Sequence, residues 1–172
     1  MFNIIWFQVN WFGLIAYQTY FVPISILSIC LHLYLNKAYR RADIKLALIV
    51  TASGCIIETL MIQLGIISFD QFALLPGFLP FWLVVLWTCF ALTLNHSMKF
   101  FAKHPLLAVI CGSLFGPLSY LAGIEFGAAT SQVKPFLLFL SYSFVWGMSF
   151  GLFTRLIVDH STRQGGRYAS SL

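Results

Sequence analysis

From Pro80 to Lys99 the chain reads Pro-Phe-Trp-Leu-Val-Val-Leu-Trp-Thr-Cys-Phe-Ala-Leu-Thr-Leu-Asn-His-Ser-Met-Lys. A mostly apolar, uncharged run closes on a compact polar cluster, Asn95-His96-Ser97, and then Lys99. Counted from Phe78, it has the roughly 20 residues that a helix needs to cross a hydrocarbon core of about 30 Å. The rest of the chain repeats this plan, with apolar spans whose alternate ends carry polar and basic residues. That pattern implies an all-α, polytopic transmembrane helical bundle.

Composition agrees where it matters. Hydrophobic residues make up 60% of the chain and charged residues 9%, against about half and about a quarter in soluble domains. The length of 172 residues accommodates one transmembrane domain of six short spans, residues 1–160, and a short polar tail, 161–172. The net charge of +5 is not a nucleic-acid footprint. Its Lys and Arg residues gather beside apolar spans, where they act as topology signals and contacts to anionic headgroups. The expected partner is therefore the lipid bilayer, and no nucleic acid is expected.

Six spans follow from the apolar pattern: about Phe2–Gln18, Phe21–Leu35, Ile44–Ile67, Phe78–Ser97, Leu106–Ala128 and Phe136–Val158. Pro23 suits a helix first turn, and Pro117 is expected to bend span five. The N-terminus lacks a basic n-region and a small-residue cleavage site, so the first helix is expected to be retained. Lys134 stands apart from the other basic residues, which lie at the ends of spans two, four and six. This asymmetry places both termini in the cytoplasm.

Spans two, four and six end alike. Asn36, Asn95 and Asp159 are each followed four residues later by a basic residue, and Gly54 and Gly65 match the spacing of Gly112 and Gly123. Two explanations fit: three tandem helical hairpins about an axis normal to the membrane, or a simple accumulation of polar residues at cytoplasmic helix ends.

Depth along the spans sorts the candidate site residues. Glu58 lies past the midplane, where an ionisable side chain costs about 2.5–3.5 kcal/mol on insertion scales. It is either a proton-handling group or a neutral acid bonding one helix to another. Tyr120, Ser119, Gln8 and Asn10 fall at mid-membrane levels. Asn3, His32, Asn95, His96, Ser97, Asp159 and His160 form a second layer near the cytoplasmic face. His96 is a candidate acid–base group, with Asn95 and Ser97 beside it. Successive helical residues diverge by about 100°, so these three are not expected to aim at one point.

His32, His96 and His160, with Asp159, share a depth, but no ligand spacing supports a metal, and none is expected. No phosphate loop, nucleotide fingerprint or haem spacing is present, so no cofactor is expected either. Cys30, Cys55, Cys89 and Cys111 read as small buried hydrophobes. The Trp, Phe and Tyr residues read as packing and lipid-facing groups. Gly112-x-x-x-Gly116 and Gly123-x-x-x-Gly127 suit close helix packing, within the chain or across a homo-oligomer.

Three pieces carry a family resemblance: Asn10-Trp11-Phe12, the run Trp87 to Lys99 with Thr93-Leu94-Asn95-His96-Ser97, and Gly116-Pro117-Leu118-Ser119-Tyr120-Leu121-Ala122-Gly123. The chain resembles the bacterial inner-membrane domain-of-unknown-function family 2878 over nearly its whole length. The resemblance implies an inner-membrane location and an association with fatty-acid modification, and assigns no mechanism. The acid of span three in that family is usually Asp; here it is Glu58.

Three functional readings remain open. The first is an accessory protein or embedded enzyme of membrane-lipid modification, with His96, Asn95 and Tyr120 lining a cleft that takes a lipid or small hydrophobic molecule. The second is a proton-coupled carrier using Glu58. The third is a structural subunit that packs against a membrane partner.

Overall fold

The computed structural model describes residues 2–69 and 78–157; Asp70, the Pro76-Gly77 pair, Asp159, His160 and the polar tail lie outside them. The six apolar segments are six α-helices: α1 (Phe2–Tyr17), α2 (Val22–Leu35), α3 (Arg40–Gln63), α4 (Phe81–Leu94), α5 (Pro105–Glu125) and α6 (Pro135–Phe153). Helix α3 starts earlier than Ile44, because Arg40 and Arg41 extend it toward the polar boundary.

Length divides the helices into two sets. With 24, 21 and 19 residues, α3, α5 and α6 run about 36, 32 and 29 Å at about 1.5 Å per residue, a bilayer's width. With 16, 14 and 14 residues, α1, α2 and α4 reach only about 24, 21 and 21 Å. The apolar run Phe2–Leu35 is 34 residues long, but the chain turns back inside it. Gln18 takes a positive φ of 47° at the start of a short 3-10 turn. Beyond it, Ser28 hydrogen-bonds Asn10 at 3.1 Å and His32 stacks on Trp6 at 5.0 Å. Helices α1 and α2 are thus a short hairpin.

Helix α4 is the centre of the bundle. Trp82, Trp87, Cys89, Ala91, Leu92 and Leu94 are all buried, although they point around the whole circumference. A helix that is apolar on every side needs protein or lipid on every side. Here neighbouring helices supply the cover, so α4 has no need of full membrane length.

Close backbone approach sets how the longer helices meet it. A Cβ on Gly54 would sit 2.2 Å from the Trp87 ring, and one on Gly116 2.3 Å from the Trp146 ring. Each indole fills the space its glycine leaves, and the two indoles stack on each other at 4.9 Å and 10°. The α3–α4 and α5–α6 hairpins therefore repeat one packing plan about the stacked pair. Gly112 and Gly116 work within the chain, against Trp146.

The repeat differs in register from the spacing match noted above. Gly54 corresponds to Gly116, and Gly65 to Gly127. Gly65 and Gly127 have positive φ, 68° and 73°, just after α3 and α5. Both ends close the same way: Ile66 N–H donates to Met61 O and Ala128 N–H to Gly123 O, the Schellman arrangement that satisfies terminal carbonyls. An antiparallel bridge, Ser68 to Thr130, then ties the two ends together. Sequence spacing alone cannot separate the Gly112–Gly123 pairing from the Gly116–Gly127 pairing, since both have the same interval.

Pro117 lies buried within α5. It has no N–H to give the carbonyl of Ser113, one turn back. The Ser143 hydroxyl of α6 donates to that carbonyl at 2.8 Å, so the missing helix bond becomes an interhelical one.

If indole–glycine contacts hold the hairpins, added methyl groups should act selectively. Gly116→Ala should lower stability by about 1–3 kcal/mol through overpacking. Gly123→Ala should be tolerated, because its Cβ would meet Ile15 at 3.6 Å. Thermal unfolding of the two purified variants in detergent checks this; equal losses would contradict it.

Candidate functional site

The buried stripe of α3 organises the polar interior. Asp43, Leu46, Val50, Gly54, Glu58 and Met61 are its buried members, spaced three or four residues apart on one face. Two carboxylates therefore face α4 and its neighbours from opposite ends of one helix. Both are fully buried.

At one end, Asp43 draws in the tails of α2 and α4. Asn95 Nδ2 donates to Asp43 Oδ1 at 2.9 Å, and His96 Nε2 lies 2.9 Å from Asp43 Oδ2. His32 Nε2 approaches the same Oδ2 at 3.7 Å. The two imidazoles meet edge to face at 4.8 Å. The 100° divergence expected for Asn95 and His96 does not apply, because α4 ends at Leu94. Past that point the backbone leaves the α-helical pattern, with His96 N–H and Met98 N–H both donating to Thr93 O, and both side chains reach one carboxylate. Ser97 turns the other way and donates to Asn3 Oδ1 at 2.8 Å.

At the other carboxylate, Tyr120 of α5 and Tyr142 of α6 donate to Glu58 Oε1 and Oε2, the latter at 3.1 Å. The two phenol rings stack at 3.7 Å. Glu58 thus joins α3, α5 and α6, the arrangement of an interhelical tie. Asn10 is placed separately: its amide donates to Trp6 O at 2.9 Å, and its oxygen accepts from Ser28.

Beside these clusters runs a cleft of about 580 Å³ between α1, α4 and α5. Phe7, Trp11, Leu86, Phe90, Phe115 and Trp146 are among its walls, and Gln8, Ser119 and Tyr120 are its uncharged polar members. The Ser119 hydroxyl is turned to Gly116 O at 2.6 Å. Of the three residues expected to line a cleft together, Tyr120 does, while Asn95 and His96 bond Asp43 and do not border the cleft. Asp159 and His160 are outside the described residues.

Asp43 and Tyr142 were not singled out from the sequence. Asp43 stands among Arg40, Arg41 and Lys45, where it reads as part of a solvated charged run. Its place on the stripe that contains Glu58 was the available signal.

An all-helical bundle with apolar helices of bilayer length and its polar groups bonded inward is that of a membrane-embedded protein. The family model described as "Protein of unknown function (DUF2878)" matches residues 1–152, and the chain belongs to that family. No curated protein and no solved structure matches it.

The Glu58 tie predicts unequal effects. Glu58→Leu leaves the Tyr120 and Tyr142 hydroxyls without this acceptor, at about 1–3 kcal/mol for each unsatisfied group. Glu58→Gln keeps a carbonyl oxygen and should cost about 1 kcal/mol. Thermal unfolding in detergent should rank wild type above Glu58→Gln and well above Glu58→Leu; indistinguishable variants would contradict the tie.

Proposed function

We propose that this protein holds the hydrocarbon part of a lipid, or a small apolar molecule, in the cleft between α1 and α5, in the service of membrane-lipid modification. The observation that supports this reading is the cleft itself. Its volume of about 580 Å³ falls within the range of about 300–1,000 Å³ typical of ligand sites. Its walls are aromatic and aliphatic, with no charged side chain among the lining residues. An acyl chain needs such a wall, and a polar solute would lose its hydration there without replacement.

Tyr120 is where chemistry or positioning would enter. Its ring borders the cleft while its hydroxyl bonds Glu58. The carrier reading gains less support, since Glu58 is fully buried and does not border the cleft.

The same reading places the protein in a bacterial inner membrane with its basic end in the cytoplasm. Lys37, Arg40, Arg41, Lys45, Lys99, Lys103 and Arg155 lie at the end where α2, α4 and α6 finish, and Lys134 at the other. That asymmetry supports a cytoplasmic basic end. In a cysteine-free background, Lys99→Cys and Arg155→Cys should label from the cytoplasm and Lys134→Cys from the opposite side. Labelling of all three from one side would overturn the orientation.

Lipid binding can be read from the protein's own tryptophans. Trp11, Trp82, Trp87 and Trp146 all border the cleft. A brominated fatty acid should therefore quench the detergent-solubilised protein saturably, near one molecule per chain. Ala122→Phe, which narrows the cleft, should weaken that saturable phase about tenfold. Quenching that only tracks bromide content of the micelle, with no saturable phase, would remove the proposal.

A further inference from the structure

We infer that His32, Asp43 and His96 form a binding site for one divalent transition-metal ion of borderline softness, such as Zn²⁺. The three donor atoms lie within 4.8 Å of one another and come from three chain segments: the end of α2, the first turn of α3 and the tail of α4. Two imidazoles and a carboxylate are a donor set that suits such ions.

The spacing fits a shared ion. Donors about 2.0–2.1 Å from a tetrahedral metal stand roughly 3.3 Å apart. The two imidazole-to-carboxylate distances are 2.9 and 3.7 Å, on either side of that value, and the full set spans up to 4.8 Å, so the two imidazoles would draw together on the ion.

The independent sign of a ligand is His32. Its side chain is 7% exposed, and its Nε2 is buried without a hydrogen-bond partner. Yet Nε2 faces Asp43 Oδ2 at a distance too long for a hydrogen bond. A buried ring nitrogen left unpaired beside a carboxylate and a second imidazole has the placement of a metal ligand.

The surroundings are those of a closed structural site. Trp6 stacks on His32 at 5.0 Å, Tyr39 covers His96 at 5.2 Å, and Asn95 holds the second oxygen of Asp43. Asn95 then serves as the group that orients the ligating carboxylate. His96, 14% exposed, is the ligand nearest the surface. None of the three ligands borders the apolar cleft. The ion would tie the ends of α2, α3 and α4, and its binding stands apart from lipid binding. Spacing along the chain could not have revealed the set, because each ligand belongs to a different helix end.

Co²⁺ is the probe of choice, used on the tag-free full chain in detergent after chelator treatment. Titration should give a visible d–d absorption band that saturates at one Co²⁺ per chain and bleaches when Zn²⁺ is added. His32→Ala and His96→Ala should each weaken Co²⁺ binding at least tenfold. Zn²⁺ should raise the melting temperature of the wild type but not of either variant. Absence of a saturable band, or an undiminished band in both variants, would overturn the site. X-ray absorption at the zinc edge of the wild type needs no variant: two imidazoles and oxygen are expected, and sulfur ligation or no imidazole would overturn it. Brominated fatty-acid quenching that persists while Co²⁺ binding fails would reject this site and leave the lipid reading intact.

Discussion

Two carboxylates lie on one buried face of α3, packed where no water reaches to satisfy them. An unpaired polar group costs several kcal/mol in hydrocarbon. Every helix that reaches α3 must therefore bring it donors. Asp43 takes Asn95 and His96 from the tail of α4 and is approached by His32 from α2. Glu58 takes Tyr120 from α5 and Tyr142 from α6. Lipid tails are as apolar as leucine, so burial of apolar surface does little to select one helix arrangement over another. The inward-facing acids make that selection.

Packing refines what the acids select. Where α3 crosses α4 and where α5 crosses α6, a glycine receives an indole, and the two indoles stack at the meeting point. Such contacts need a missing Cβ and a flat partner, so they fix depth as well as neighbour identity. Glu58 and Tyr120 sit four residues beyond Gly54 and Gly116, at equivalent positions of the two hairpins. The hydrogen bond between them consequently joins corresponding positions of the repeat. The Ser68–Thr130 bridge joins another such pair.

Much of this was legible in the sequence, and what was not has a physical cause. Apolar run length identifies all six helices, since each polar interruption in hydrocarbon must be a boundary or a bonded group. The shared layer of His32, Asn95, His96, Ser97 and Asn3 follows from counting residues. Azimuth is harder to read. Helix α4 is apolar all round, so no stripe reveals which side faces α3. The unwinding past Leu94, which lets Asn95 and His96 meet on one acid, depends on contacts between chain segments far apart in sequence. Asp43 was concealed by neighbouring cations that face outward while it faces inward.

The cleft follows from how α1 is attached. Its two asparagines serve α2 and the tail of α4: Asn3 bonds Ser97, and Asn10 bonds Ser28. Toward α5 it offers Phe7, Gln8 and Trp11, while α5 answers with Ser119, Ala122 and Gly123. Large rings facing small residues leave room between the helices. In water, such an apolar gap would be driven to collapse. In a bilayer that drive is absent, because hydrocarbon can enter the space at little cost. A small-residue face opposite a ring-lined one is therefore stable as an open groove, the space that the proposed acyl chain would fill.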